Sequence, residues 1–102
     1  MKRRNYTVRL LRAAEDDFTD IVTYIAAHRP EAAEALAQKI EKNLKPLAVN
    51  PFLGRVPNDP SLVDLGYRYL VVGNYLIFYV REERTIFVHR IIHGARDYRG
   101  LL

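Results

Sequence analysis

The sequence predicts an α+β fold in the order β-α-α-β-β-β, with a helical hairpin packed on one face of a mainly antiparallel four-stranded sheet. Three observations carry that expectation: an alternating apolar pattern near the N-terminus, two successive stretches with helical spacing, and three closely spaced alternating runs in the second half. A chain of 102 residues buries roughly 65% of its unfolded surface, enough for one core and not two. With no repeat or linker composition, residues 1–102 are expected to form a single domain. Apolar residues at 49% and charged residues at 27% exclude disorder and low-complexity sequence.

The first strand is expected over Tyr6 to Arg12, where Val8 and Leu10 alternate with Thr7, Arg9 and Leu11. The period then changes. Phe18, Ile21, Val22 and Ile25 recur at helical spacing, with Asp16, Asp17 and Asp20 off that stripe or at its edge. Glu15, Asp16 and Asp17 fall in the first turn, where they complement the helix dipole. This helix is expected from about Ala13 to His28. Pro30 suits the first position of a second helix, because a missing N–H costs nothing there. Ala33, Leu36, Ala37, Ile40, Leu44 and Leu47 carry that helix to about Val49, and its small residues permit close approach to the first.

Residues 50–60 read as loop, with three prolines and a glycine. Gly66 to Val72 then alternates, Tyr67, Tyr69 and Val71 on one face against Arg68, Leu70 and Val72 on the other. Gly73-Asn74 is a two-residue hairpin signal. Tyr75 to Arg81 follows, Glu82-Glu83-Arg84 turns the chain, and Thr85 to His93 is the last strand. Hairpin-linked strands alternate in direction. The two helices are expected to return the chain so that the second strand runs antiparallel to the first, and the first strand to lie parallel to the last where they are neighbours. Both helices should cover one sheet face, leaving the other open as a Tyr- and Arg-rich binding surface.

No apolar run approaches the ~18 residues of a membrane span, and the first residues lead into a strand pattern, not a secretory apolar segment. The absence of cysteine removes disulfides and thiolate zinc sites, and points to the cytoplasm. The net charge is +4 and unevenly spread. Residues 1–12 carry five positives and no acid, residues 13–50 four positives and seven acids, residues 51–102 seven positives, all Arg, and five acids. Arg favours planar contacts with carboxylate or phosphate, so an acidic protein and a nucleic acid are the partner classes this charge suits.

The element order, the loop Asn50-Pro51-Phe52-Leu53-Gly54-Arg55, the strand Gly73-Asn74-Tyr75-Leu76-Ile77-Phe78-Tyr79 and the ending His89-Arg90-Ile91-Ile92-His93-Gly94-Ala95-Arg96-Asp97 together resemble the RelE/ParE superfamily of bacterial toxins. The loop and the ending are more similar to the ParE, plasmid-stabilisation branch. The resemblance implies the toxin of a type II toxin–antitoxin module that inhibits DNA gyrase by binding. It also implies a cognate, ParD-like antitoxin of ribbon-helix-helix type, assembling with the toxin as a hetero-oligomer. No catalytic residue, cofactor or membrane partner belongs to that picture. The alternatives are a RelE-like, metal-independent endoribonuclease acting on ribosome-bound messenger RNA, and a non-toxic relative that only binds its antitoxin. In RelE-like toxins a basic residue sits two positions past the hairpin turn. Here that residue is Leu76, which cannot stabilise a phosphorane.

The residues expected to meet target or antitoxin are Arg55, Arg68, Tyr75, Tyr79, Arg90, His93, Arg96, Asp97 and Tyr98. Tyr67, Tyr69, Tyr75 and Tyr79 form either an exposed aromatic patch or cross-strand packing. Arg90 shares the parity of Ile86, Val88 and Ile92, so it is either paired with a carboxylate in the core or turned outward by a bulge. Arg96 and Asp97 are expected to pair, as a cation with its orienting carboxylate or, preferably, as a pin for the C-terminal tail. Arg55 either reaches a partner's carboxylate or orders its loop. His89 and His93 lie on one face of a regular strand but about 13 Å apart, too far to share a metal ion. His93, beside Gly94, is expected to hydrogen-bond locally.

Overall fold

The computed structural model describes residues 5–102. Three of the five N-terminal positive residues, Lys2, Arg3 and Arg4, lie outside them. The described chain runs β1 (Thr7–Leu10), α1 (Arg12–Ala26), α2 (Pro30–Leu44), a 3₁₀ turn (Lys45–Ala48), α3 (Pro60–Asp64), β2 (Tyr67–Val72), β3 (Tyr75–Glu82) and β4 (Thr85–His93). The expected order therefore holds, with α3 added. Composition hid that short helix, because Pro60 reads as a breaker. Pro60 is in fact a helix-opening residue behind Asp59, whose Oδ1 accepts from the Ser61 N–H at 2.9 Å and the Ser61 hydroxyl at 2.7 Å. Those bonds to the ionised form hold the Asp59 carboxyl below its ordinary pKa.

The sheet order is β1-β4-β3-β2. β1 is parallel to β4, and β4, β3 and β2 are successively antiparallel. β2 consequently runs in the same direction as β1, contrary to the expectation that the second strand opposes the first. The two helices cancel as an out-and-back pair. The 3₁₀ turn after α2 ends beside the start of β1, where the Tyr6 N–H donates to the Ala48 carbonyl at 2.7 Å. The chain thus enters β2 from the end at which it entered β1. Gly73, in the left-handed region with φ 58°, makes the β2–β3 turn where it was expected, and Glu83 at φ 55° makes the next one.

Each face of the sheet has its own apolar cluster. On the helical side Ala14, Ile40 and Leu44 pack on Ile77, Ile86 and Val88. The opposite face, expected to be open, is covered. Leu62 of α3 and the tail residues Tyr98, Leu101 and Leu102 close over Tyr67, Phe78 and Ile92. Phe78 is completely inaccessible beneath them. Covering that much apolar surface on β2 to β4 is worth roughly 25 cal/mol per Å² removed from water, which is why the tail folds back instead of extending.

A β-bulge interrupts the β3–β4 register. Phe78 pairs with Arg90 while Tyr79 pairs with Val88, so His89 is the extra residue. The alternation of β4 reverses there: Ile86 and Val88 face the helices before the bulge, and Ile91 faces them after it. His89 and His93 consequently do not share a face as a regular strand would require. His89 meets Tyr67, whereas His93 stacks edge-on against Tyr75 with centroids 5.4 Å apart.

Candidate functional site

Eight of the nine residues singled out by sequence separate into three places, and Asp97 stands apart from all of them. The first is a clasp around Arg90. Its Nε donates to Asp17 Oδ2 at 2.7 Å and its Nη2 to Asp17 Oδ1 at 2.9 Å, a bidentate pair, while Nη1 donates to the Leu101 carbonyl at 3.0 Å. Asp17 Oδ2 also accepts from the Ile91 N–H at 2.9 Å. Both alternatives foreseen for Arg90 are realised together: the bulge moves it off the helical face, and a carboxylate from α1 meets it at the sheet margin. The bond from Asp17 raises the Arg90 pKa further above its ordinary value. Arg90 therefore ties the first helix to the C-terminal tail and is not free for a ligand. Tyr98 belongs to the same structure, its ring 4.8 Å from that of Phe78.

The expected Arg96–Asp97 pair does not form. Asp97 binds Arg99 instead, with Arg99 Nη2 3.0 Å from its Oδ2, and both groups are exposed. The geometric reason is local. Asp97 also accepts the Arg99 N–H at 3.2 Å, an Asx-type turn that aims the carboxylate forward along the chain and away from Arg96. The Arg99 bonds hold the Asp97 carboxyl below its ordinary pKa. Pinning of the tail falls to Arg90 and to the apolar side chains of Tyr98, Leu101 and Leu102.

The second place is a groove between α1 and the adjoining ends of β3 and β4, with a volume of about 330 Å³, where Arg96, His93 and Tyr75 face Asp20, Ile21 and Tyr24. Tyr24 is 71% exposed, the most exposed large apolar side chain among the described residues. His93 holds the wall together as expected: the Ala95 N–H donates to its Nδ1 at 3.1 Å, and the Arg96 N–H to its carbonyl at 3.0 Å. Arg96 has no carboxylate within ion-pair distance among the described residues. The groove can accept an apolar side chain and offer a cation to a negative group.

The third place is the loop from Asn50 to Val56 on the outer side of β2. The buried Tyr79 hydroxyl donates to the Pro51 carbonyl at 2.8 Å and accepts the Gly54 N–H at 2.8 Å, stapling the loop to the sheet. A side chain at position 54 would place its Cβ 2.6 Å from that oxygen, so only glycine fits. Burial raises the Tyr79 pKa, partly offset by the Gly54 N–H and by Arg68. Arg55 pairs with Tyr69 as an extra antiparallel bridge, N–H to carbonyl at 2.8 and 2.9 Å. Its backbone orders the loop and its side chain stays exposed. Arg68 Nη1 donates to the Gly54 carbonyl at 3.0 Å. The shared aromatic patch does not exist. Tyr67 and Tyr69 pack on the tail side, Tyr75 and Tyr79 on the helical side, and Tyr67 and Tyr79 are buried.

Sequence reasoning missed Asp17 and Phe52. Asp17 stands three residues after the buried Ala14 and four before Ile21, so helical spacing alone could have placed it on the inner face. Phe52, in a turn where no periodicity operates, gave no such signal. His89 lies against the Tyr67 hydroxyl, 2.9 Å from its Nδ1, and burial pushes its pKa down against the opposing pull of Glu82. Among the described residues no three His, Asp or Glu side chains gather as a metal site, and no helix is long and apolar enough to cross a membrane.

Residues 8–98 match the ParE toxin of the type II toxin–antitoxin system parDE. The fold is similar to a chain of a chromosomal ParDE toxin–antitoxin system from P. aeruginosa, with 24% identity, a TM-score of 0.72, and 86% of this chain and 95% of that one covered. It is also similar to a chain of the toxin–antitoxin complex RelBE2 from Mycobacterium tuberculosis, with 21% identity, a TM-score of 0.61, and coverage of 93% and 98%. No curated protein matches the chain in sequence.

Proposed function

The chain belongs to the ParE toxin family of type II toxin–antitoxin systems, and from that premise we propose that it inhibits DNA gyrase by binding and is neutralised by a cognate ParD-like antitoxin in the cytoplasm. The observation that carries the binding mode is the filling of the tail-side sheet face. A nuclease that works without a metal needs cations around the scissile phosphate and a group to move the 2′-OH proton. Here Leu76 packs there with Phe78 and Ile92, under Tyr98 and Leu101. Arg90, at the margin of that face, is bound to Asp17 and Leu101. That face is thus filled with hydrocarbon, a poor setting for a phosphate. Arg96 in the α1 groove remains as a cation with no carboxylate in ion-pair reach among the described residues, suited to gripping a partner.

A supercoiling assay with purified gyrase tests this reading. Inhibition is expected, with cleaved DNA accumulating, and addition of the antitoxin should reverse it. No inhibition at molar excess overturns the proposal. Codon-spaced cuts in a ribosome-bound message, abolished by Arg96→Ala, would replace it with the endoribonuclease reading.

A further inference from the structure

The most conspicuous unassigned surface is around Phe52. Five of the nine exposed large apolar side chains among the described residues, Phe52, Leu53, Val56, Val63 and Leu65, fall within residues 52–65. Four of them, Phe52, Val56, Val63 and Leu65, line two adjoining hollows, a patch and not the scatter normal for a folded surface. Phe52, Val56 and Val63 line a cleft of about 250 Å³, together with Tyr67 and Tyr79. Leu65 lines the neighbouring depression, which shares Tyr67 and Arg81 with it.

The rim of this cleft is cationic. The guanidinium of Arg68 lies 5.2 Å from the centroid of the Phe52 ring and that of Arg81 5.9 Å from it. Arg55 is exposed on the same loop. The ion pairs among the described residues are Arg12–Asp16, Arg90–Asp17 and Arg99–Asp97, so these three arginines have no carboxylate partner. Their neutral acceptors are main-chain carbonyls: those of Phe52 and Gly54 for Arg68, and that of Glu83 for Arg81.

The ring stays outside for a structural reason. The Tyr79 staple, the Arg55–Tyr69 bridge and the Phe52 N–H donated to Asn50 Oδ1 fix the loop at each end and at its turn. Phe52 is thereby held 59% exposed. A rigid, pre-formed anchor site avoids much of the ordering cost of binding.

We infer that the Phe52 cleft is a docking site for an acidic segment of the antitoxin, one apolar side chain of the segment entering the cleft and its carboxylates meeting Arg68 and Arg81. This rests on the toxin reading above. Charge complementarity selects the partner: unpaired arginines on a chain of net charge +4 favour an acidic occupant. The exposed Val56, Val63 and Leu65 favour a protein over a nucleic acid, whose interfaces are more polar.

The test is titration calorimetry with the purified antitoxin encoded beside this gene, at low and high salt. Phe52→Asp and Arg81→Glu alter exposed side chains, and circular dichroism checks that they fold. Each should weaken antitoxin binding at least tenfold, and Arg81→Glu should also flatten the salt dependence. Wild-type affinity in both folded variants overturns the docking site and leaves the toxin reading standing. Failure of the antitoxin to bind the unaltered chain overturns the toxin reading itself. Loss of single-stranded oligonucleotide binding in the variants, with antitoxin binding unchanged, would assign the cleft to nucleic acid and overturn the proposal.

Discussion

The two faces of the sheet are built by different means. The helical face is covered by two helices of 15 residues each, and the other by a five-residue helix and the last few residues of the tail. On the helical side Ile40 and Leu47 of the cover and Ile77, Ile86 and Val88 of the sheet are all fully inaccessible. On the other face the covering residues Tyr98, Leu101 and Leu102 remain partly exposed themselves, although Phe78 under them is sealed. A continuous amphipathic stripe makes a cover that forms as a unit with the core. A tail held at separate points makes one that can open locally while the rest stays folded.

The largest effect should come from the helical face. Ile86→Ala removes most of a fully buried side chain and leaves a cavity, at a cost of about 4 kcal/mol, measurable as a lowered urea midpoint with unchanged slope. Ending the chain after Asp97 should cost less, about 3 kcal/mol, because three side chains that are only partly buried are lost. It should also expose Phe78 and Ile92, which dye binding at native secondary-structure content would detect. If truncation proves as costly as Ile86→Ala, the two faces are equally cooperative and the contrast between them fails.

The smallest effect sharpens the contrast through pH. Burial lowers the His89 pKa below its ordinary 6.5. Between those two values the unfolded chain binds more protons than the folded one, so the contribution of His89 falls as pH drops below about 6.5 and is level above it. The loss should be the smallest of the three effects, since the ring is only partly enclosed. His89→Phe should flatten the stability profile between pH 5 and 7. A profile unchanged by that substitution would mean that the tail side is wet enough to leave this imidazole unperturbed.

Much of the architecture was legible because it is local and periodic. Pro30 opened α2 where expected, Gly73-Asn74 made the hairpin, and the alternation of Tyr67 to Val72 placed Tyr67 and Tyr69 on one face and Leu70 and Val72 on the other. The candidate site was legible only in part. Tyr75, His93 and Arg96 do meet in one groove. Arg90 instead joins Asp17, 73 positions away in the chain, and Asp97 turns to Arg99.

Sequence by itself determined the four strands, the two long helices, their order and the basic, cysteine-free character of the chain, since hydrophobic period, turn chemistry and charge are properties of neighbouring residues. Tertiary structure alone decided that neither face stays open. One extra residue at His89 reverses the alternation of β4, and the tail then seals a surface that the strand pattern left bare. A bulge and a returning tail both depend on partners distant in sequence, which no local pattern can encode.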